Sequence, residues 1–101
     1  MRTEGSTWFS AEFERKGPAA ICSARAIHVP RGAQLTALVE HRDRGDSSWT
    51  TLASVGIFAD HGAAARRLTG IKDVLRIRVE APGARIEQFE FSAPEPTWQK
   101  D

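Results

Sequence analysis

The sequence predicts an all-β protein, built as a single small antiparallel β-sandwich or jelly-roll-like barrel of about seven to eight short strands. Apolar residues recur mostly with period two, which is the spacing of a half-buried strand. Glycine and proline interrupt these segments about every ten residues, as in sandwiches and barrels. The length of 101 residues fits one domain, because two halves would each be too small to stay folded.

The first predicted strand covers residues 8–15. In this strand Phe9 and Phe13 share one parity with other apolar residues, so they are expected to face the core. Trp8 has the opposite parity and is therefore expected on the solvent side. The polar residues 1–6 that precede the strand are predicted to form a flexible N-terminal arm.

The second and third predicted strands cover residues 19–29 and 34–42. The apolar residues of the second strand change parity halfway along, which indicates a bulge or a bend. The third strand alternates apolar and polar residues, and its pattern directs Glu40 toward water. Residues 43–48 are rich in Asp, Ser and Gly and are predicted to connect this strand to the next.

Residues 49–55 are predicted to form the fourth strand, with Trp49 expected to be buried more readily than exposed. The following segment, 63–68, is the one stretch with real helix propensity because it contains three consecutive alanines and two arginines. It is interpreted as a short strand segment, with a single turn of helix as the alternative.

The clearest strand pattern lies at 74–80, where Ile77 and its apolar neighbours point one way and Arg76 and Arg78 point the other way. We therefore expect this strand at the centre of a sheet. The last strand is predicted over 86–92, with its phenylalanines on the core side.

The C-terminal residues 94–101 are predicted to leave the domain, which would then comprise residues 1–93. Pro94 and Pro96 remove two backbone donors, so the segment should not continue as a central strand. It is expected to be an extended arm, in which Trp98 is well placed to dock on a neighbouring subunit.

Composition excludes several classes of function. The net charge of +1 lacks the basic excess that a general nucleic-acid binder needs. No apolar run has the length of a membrane-spanning helix or of a secretory signal, so no membrane partner is expected. Cys22 is the only cysteine, and we interpret it as a small buried apolar residue in a chain without internal disulfides.

The sequence predicts no catalytic residue, no metal ligand and no cofactor. His28, His41 and His61 are the only histidines, and none has a metal-ligand spacing to another histidine or to the cysteine. There is no Gly-x-Ser-x-Gly nucleophile turn and no glycine-rich phosphate loop. The Arg-Gly-Asp tripeptide at 44–46 matches an integrin-binding motif, but it is interpreted as an ordinary turn.

The candidate functional residues are therefore interface residues. Tryptophan is a frequent interface anchor, proline holds the arm extended, and arginine binds carboxylates and phosphates. The candidate interface residues are Trp8, Arg76, Arg78, Pro94, Pro96 and Trp98. For the two arginines, a solvated sheet face is the alternative interpretation.

Five segments carry a resemblance to a known group of proteins: LVEHRD at 38–43, SWTTL at 48–52, LTGI at 68–71, LRIRV at 75–79 and APEPTW at 93–98. In these segments the chain resembles small β-sandwich structural proteins of tailed bacteriophages and gene transfer agents. The resemblance covers about the last two-thirds of the chain and rests on short motifs that carbohydrate-binding sandwiches also approximate.

The resemblance implies a non-enzymatic virion component, made in the cytoplasm of a bacterial host and present in many symmetric copies. Its partners would be other copies of itself and a capsid or other virion protein, in a homo-oligomer or a lattice. A capsid-attached decoration or head-associated protein is the preferred role, with a tail or neck component as an alternative.

Two other classes of function stay open. A carbohydrate-binding sandwich would use Trp8, Trp49 or Trp98 to stack on a sugar ring, beside a polar residue that bonds the hydroxyl groups. The chain has no tyrosine and no asparagine, which weakens this interpretation. An enzyme subunit would require a second chain to complete its site.

Overall fold

The computed structural model describes residues 2–4, 6–27, 34–55, 58–59, 64–82, 85–86 and 89–100. In this part of the chain the regular structure consists of strands and includes no helix. The strands are β1 (Arg2–Glu4), β2 (Thr7–Phe9), β3 (Phe13–Glu14), β4 (Ala19–Ile27), β5 (Thr36–Arg42), β6 (Thr50–Val55), β7 (Phe58–Ala59), β8 (Ala64–Thr69), β9 (Val74–Glu80), β10 (Glu90–Ser92) and β11 (Thr97–Gln99).

The strands form two sheets. The first sheet has the order β1-β2-β9-β5-β6, and β3 also pairs with β9. In the second sheet β4 is central and pairs with β7, β8, β10 and β11. Every pairing is antiparallel except that of β4 with β7. The prediction of an all-β sandwich is confirmed, although the described residues form eleven strands, several of only two or three residues, instead of seven to eight.

Strand β9 lies at the centre of the first sheet, as predicted. It pairs with β5 along its whole length, and β2 and β3 lie in line on its other side. Leu75, Ile77 and Val79 are almost completely buried. An uninterrupted alternation in the sequence was sufficient to predict this strand, and β5 follows its register without a break from Glu80 to Val74.

The first predicted strand is divided by a bulge into β2 and β3. Phe9 pairs with Arg78 whereas Phe13 pairs with Leu75, so this side of the ladder contains one residue more than β9 between the two pairs. One extra residue reverses the faces. Phe9 therefore lies on the outer face of the sheet, contrary to the prediction, while Phe13 packs against the core as predicted.

Ser10 occupies the bulge and completes the ladder with its side chain. Its backbone N–H donates to the Ile77 carbonyl at 2.9 Å, and its Oγ accepts the Ile77 N–H at 2.8 Å. The hydroxyl also donates to the carbonyl of Ala11 at 2.8 Å. A buried backbone N–H thus keeps a partner where the regular pairing is interrupted.

The reversed parity moves Trp8 into the core, so its assignment as a half-exposed interface anchor is wrong. Trp8 is 5% exposed, and its ring centroid lies 5.1 Å from that of Phe91. Phe91 in turn lies 5.6 Å from Phe89. These rings join β2 of the first sheet to β10 of the second.

Strand β4 presents a row of small side chains to the core: Ala20, Cys22, Ala24 and Ala26. Their regular alternation runs from residue 20 to residue 26. The predicted change of parity involves Ile27 and Val29, and neither the side chain of Ile27 nor Val29 belongs to the described part of the structure. Burial raises the pKa of the Cys22 thiol to about 11, so this residue is a neutral core side chain, as predicted.

The two terminal segments belong to the fold, which corrects the predicted domain boundaries. Arg2–Glu4 forms the edge strand β1, whereas the sequence predicted a flexible arm over 1–6. Thr97–Gln99 pairs with β4 at Ala19–Ile21, so the domain continues through residue 99 instead of ending at residue 93.

The C-terminal segment, defined as residues 90–99, is an edge strand interrupted by its prolines. It pairs with β4 through β10 and again through β11, and one extra residue lies between the two pairings. Pro96 is buried and Pro94 is exposed. Both prolines lie in the interruption, where no ladder hydrogen bond is required, and this is why the predicted conflict with sheet pairing does not arise.

Two further predictions concern the segment 63–68 and the last predicted strand, 86–92. Ala64–Thr69 forms strand β8, so the helical alternative for residues 63–68 is wrong, although Ala63 lies outside the described residues. The last predicted strand begins only at Glu90, but Phe89 is buried and Phe91 packs against the core, as expected.

Candidate functional site

The outer face of the first sheet carries a cluster of arginines, glutamates and aromatic rings. Alternation along β2, β5 and β9 directs these side chains away from the core, and Trp49, the residue before β6, adds a further ring. We call this surface the arginine-aromatic face. It consists of Phe9, Leu38, Glu40, Arg42, Trp49, Arg76, Arg78 and Glu80, together with Glu12, which forms an ion pair with Arg42.

Arg76 lies at the centre of the face, between two aromatic rings. Its guanidinium carbon is 4.3 Å from the ring centroid of Phe9 and 4.2 Å from that of Trp49. The guanidinium of Arg42 also lies over the Trp49 ring, at 5.0 Å. Cation-π contacts of this kind hold the long arginine side chains in place before any ligand binds.

Glu40 lies beneath Arg76 and Arg78 and binds both of them. Its side chain is only 4% exposed, and its two carboxylate oxygens accept hydrogen bonds from Arg76 Nε at 2.8 Å and Arg78 Nη1 at 3.0 Å. The sequence predicted Glu40 to face water. It is on the expected face, but the neighbouring arginines and rings cover it, and a buried carboxylate requires such partners.

The two ends of the face carry further ion pairs. At one end Arg78 also bonds Glu80. At the other end Arg42 bonds Glu12 at 3.3 Å and donates to the carbonyl of Asp46 at 2.9 Å. Three arginines are thus balanced by three glutamates, and the face as a whole has no net charge.

The face combines hydrogen-bond donors with apolar area. The guanidinium groups are fixed donors, and the aromatic rings and Leu38 offer apolar area beside them. Trp49 is half-buried on the outer face, so the expectation that it joins the core is wrong.

The structure brings together only two of the six predicted interface residues, Arg76 and Arg78. Trp8 is in the core, and the other three lie in the C-terminal segment of the second sheet. There Trp98 is half-buried against the core opposite Ala20, so it is not the anchor of a detached arm.

Sequence reasoning missed Phe9 and Glu40 as parts of the site, and it named Trp49 only as a possible sugar-stacking ring while expecting it to be buried. Glu40 lies opposite Arg76 in the pairing of β5 with β9, and Arg42 lies on the same face of β5. The alternation of the two strands could therefore have predicted that these side chains lie together. Phe9 carried no such signal, because its face depends on the bulge at Ser10.

His41 is a buried histidine on the core side of β5. Its Nδ1 accepts the backbone N–H of Lys72 at 3.2 Å. Burial, with the charge of Lys72, lowers the pKa of His41, while Asp43 acts in the opposite direction. The neutral imidazole is therefore the form that accepts the Lys72 hydrogen bond and stabilises the loop between β8 and β9. His28 and His61 lie outside the described residues.

The Arg-Gly-Asp tripeptide forms an exposed turn, as interpreted from the sequence. Gly45 has φ = 101°, a left-handed conformation that favours glycine, and Asp46 N–H donates to the Asp43 carbonyl at 3.1 Å. Arg44 bonds Glu14 at 3.0 Å through its guanidinium, and its backbone N–H donates to Asp73 at 2.8 Å. The turn is thus fixed by its backbone contacts, while the side-chain pair of Arg44 and Glu14 lies at the surface, 68% and 69% exposed.

Within the described ranges, no group of three or more His, Cys, Asp or Glu side chains is placed to hold a metal ion. The same part of the chain contains no helix with the length and apolarity needed to cross a bilayer. Comparisons of the chain with protein-family models, curated proteins and solved structures found no match.

Proposed function

We propose that this chain is a non-enzymatic assembly protein that binds protein partners through its arginine-aromatic face. The observation that supports the proposal is the arrangement of Arg76 between Phe9 and Trp49 over the buried carboxylate of Glu40. Arginine and aromatic residues are enriched at the centres of protein interfaces and supply most of the binding energy there.

The order within the face favours tight recognition for its size. Arg76 has only 14% of its side chain exposed, and ion pairs and rings already fix its position. Binding would therefore cost little additional side-chain entropy, which is one of the main terms opposing association. Half-exposed Leu38 lies opposite Arg78 and adds apolar area to the same face.

The resemblance of the chain to phage-type sandwich proteins gives this binding a biological setting. In that setting the chain is a virion structural protein, attached to the capsid or otherwise associated with the head, and made in the cytoplasm of the bacterial host. Its partners are other copies of itself and another virion protein. A tail or neck position is the alternative within the same particle.

The experiment is to purify particles from the host by density gradient and to detect the chain in them with a specific antibody. We expect the wild-type chain to band with the particles. Trp49→Ala should stay in the low-density fractions, because it removes one ring that holds Arg76. Absence of the wild-type chain from particles would overturn the virion role.

Carbohydrate binding is a second candidate, because Phe9 and Trp49 flank an arginine on one face, as such a site requires. In that case sugars would stack on the Trp49 ring and change its fluorescence. Titration with a panel of mono- and oligosaccharides tests this candidate. A saturable change in the wild type that Trp49→Ala removes would favour it over protein docking.

A further inference from the structure

We propose that the arginine-aromatic face docks a second copy of this chain, face to face and with two-fold symmetry. This inference rests on the proposed assembly function and names one partner of its site.

The charge balance excludes a strongly acidic or strongly basic partner. Arg42, Arg76 and Arg78 are compensated by Glu12, Glu40 and Glu80, so the face exerts no net attraction on a surface of one sign. A complementary surface must therefore carry both signs. A second copy carries the same set, and two-fold symmetry can match each end with its opposite.

The ends of the face have the required arrangement. Glu80 pairs with Thr36 at the start of β5, and Arg42 lies at the end of the same strand. Arg42 follows Thr36 by six residues along β5, which corresponds to about 20 Å in an extended strand. Glu80 and Arg42 therefore lie at opposite ends of the face. A two-fold axis parallel to the sheet and perpendicular to its strands brings Glu80 of each copy close to Arg42 of the other.

The centre of the face suits the same contact. Under this symmetry the Phe9, Arg76 and Trp49 cluster lies near its own counterpart, and stacked arginines and rings pack well against each other. The charged ends would then form a polar rim around this centre, which is the usual anatomy of a protein interface.

The area predicts a weak dimer. The face spans four strand positions, which are β2 with β3, β9, β5 and β6. With about 4.8 Å between strands and about 20 Å along them, each copy offers about 400 Å² of sheet, roughly half of what one partner contributes to a standard interface. We therefore expect a dissociation constant above about 1 µM. Such a contact becomes effective when many copies are held close together, as on the surface of a particle.

The experiment is sedimentation velocity of the full chain and its charge-reversal variants, from about 10 µM to about 1 mM, a range suited to weak dimers. The wild type should shift from monomer to dimer. Glu80→Arg and Arg42→Glu should each weaken self-association by at least about tenfold, because each places like charges opposite each other. An equimolar mixture of the two variants should restore a dimer, because each introduced charge meets its opposite on the other chain.

Glu90→Arg and Lys100→Glu are the matched controls, since they make the same changes of charge on the second sheet and beyond it. They should leave the dimer unchanged, and melting temperatures should show that all four variants fold. A wild type that stays monomeric to about 1 mM, or a mixture that restores no dimer, would overturn the inference.

The two proposals fail separately. If the wild type does not self-associate but Trp49→Ala still removes the chain from particles, self-pairing is wrong and the assembly role stands. If the mixture restores a dimer but the wild type is absent from particles, self-pairing stands and the virion role is wrong.

Discussion

The arginine-aromatic face and the C-terminal segment both carry a tryptophan beside charged residues, yet the fold uses them in opposite ways. Trp49 lies on the outside of the first sheet in contact with two arginines. Trp98 points into the sandwich from β11 and packs against the core. The register of a strand, rather than the composition around a tryptophan, therefore decides whether the ring is available to a partner.

The ion pairs of the two regions also differ in how exposed their carboxylates are. Glu40 on the face is 4% exposed and bonds two arginines, whereas Glu95 in the C-terminal segment is 51% exposed and bonds Lys16 at 2.7 Å. The first carboxylate is part of a rigid layer. The second lies at the surface, where solvent screens the pair and it contributes little.

The largest effect should come from Trp8, the core ring that lies behind the face and touches Phe91 of the C-terminal segment. Trp8→Ala leaves a cavity between the sheets and should lower the free energy of unfolding by about 3–5 kcal/mol. Urea unfolding followed by circular dichroism measures this loss. A loss below about 1 kcal/mol would show that Trp8 is not a core residue.

Trp98→Ala should have the next largest effect and tests whether the C-terminal segment belongs to the domain. Because the ring is half-buried, we expect a loss of about 2 kcal/mol, which corresponds to a melting temperature lower by about 10 °C. The control is Lys100→Ala, just beyond β11, which should leave the melting temperature unchanged. An unchanged melting temperature for Trp98→Ala would support a detached arm instead.

The carboxylates of Glu40 and Glu95 should differ in how much each contributes to the free energy of unfolding. Glu40→Gln keeps the shape of the side chain but removes the charge that holds Arg76 and Arg78, and should cost about 1–2 kcal/mol. Glu95→Gln should cost less than about 0.5 kcal/mol. Equal losses in thermal unfolding would contradict the distinction between a rigid face and a solvated segment.

The smallest effect is a pH dependence from His41. Its pKa is lowered in the folded state, so below the ordinary histidine value the unfolded chain binds more protons. Stability from this group should be fully present above pH about 6.5 and should fall as the pH decreases below that value. Melting temperatures measured between pH 5 and 7.5 should fall less steeply for His41→Asn than for the wild type. Equal slopes would show that another group titrates.

The sequence was sufficient to predict the class of fold and its centre. The alternation of 74–80 identified β9, and the absence of long helical periodicity excluded helical folds. These predictions depend on many residues that agree, so one irregularity does not change them.

The sequence was not sufficient to predict which aromatic residues are exposed. One extra residue at Ser10 exchanges the faces of Trp8 and Phe9, and nothing in the local composition marks it. The prolines at 94 and 96 suggested a detached arm, but an interrupted edge strand accommodates them without loss of sheet pairing. Both errors concern single residues whose direction is set by partners distant in the sequence.

The most direct test of the docking claim compares Trp49→Ala with Trp98→Ala in one experiment, measuring both melting temperature and the fraction of chain that bands with purified particles. We expect Trp49→Ala to lose particle association and to keep a melting temperature within about 3 °C of the wild type, a shift expected for less than about 1 kcal/mol. Trp98→Ala should melt about 10 °C lower and, below its melting temperature, still band with particles. The opposite pattern, with Trp49→Ala bound normally and Trp98→Ala stable but released, would contradict the assignment of the arginine-aromatic face as the docking surface.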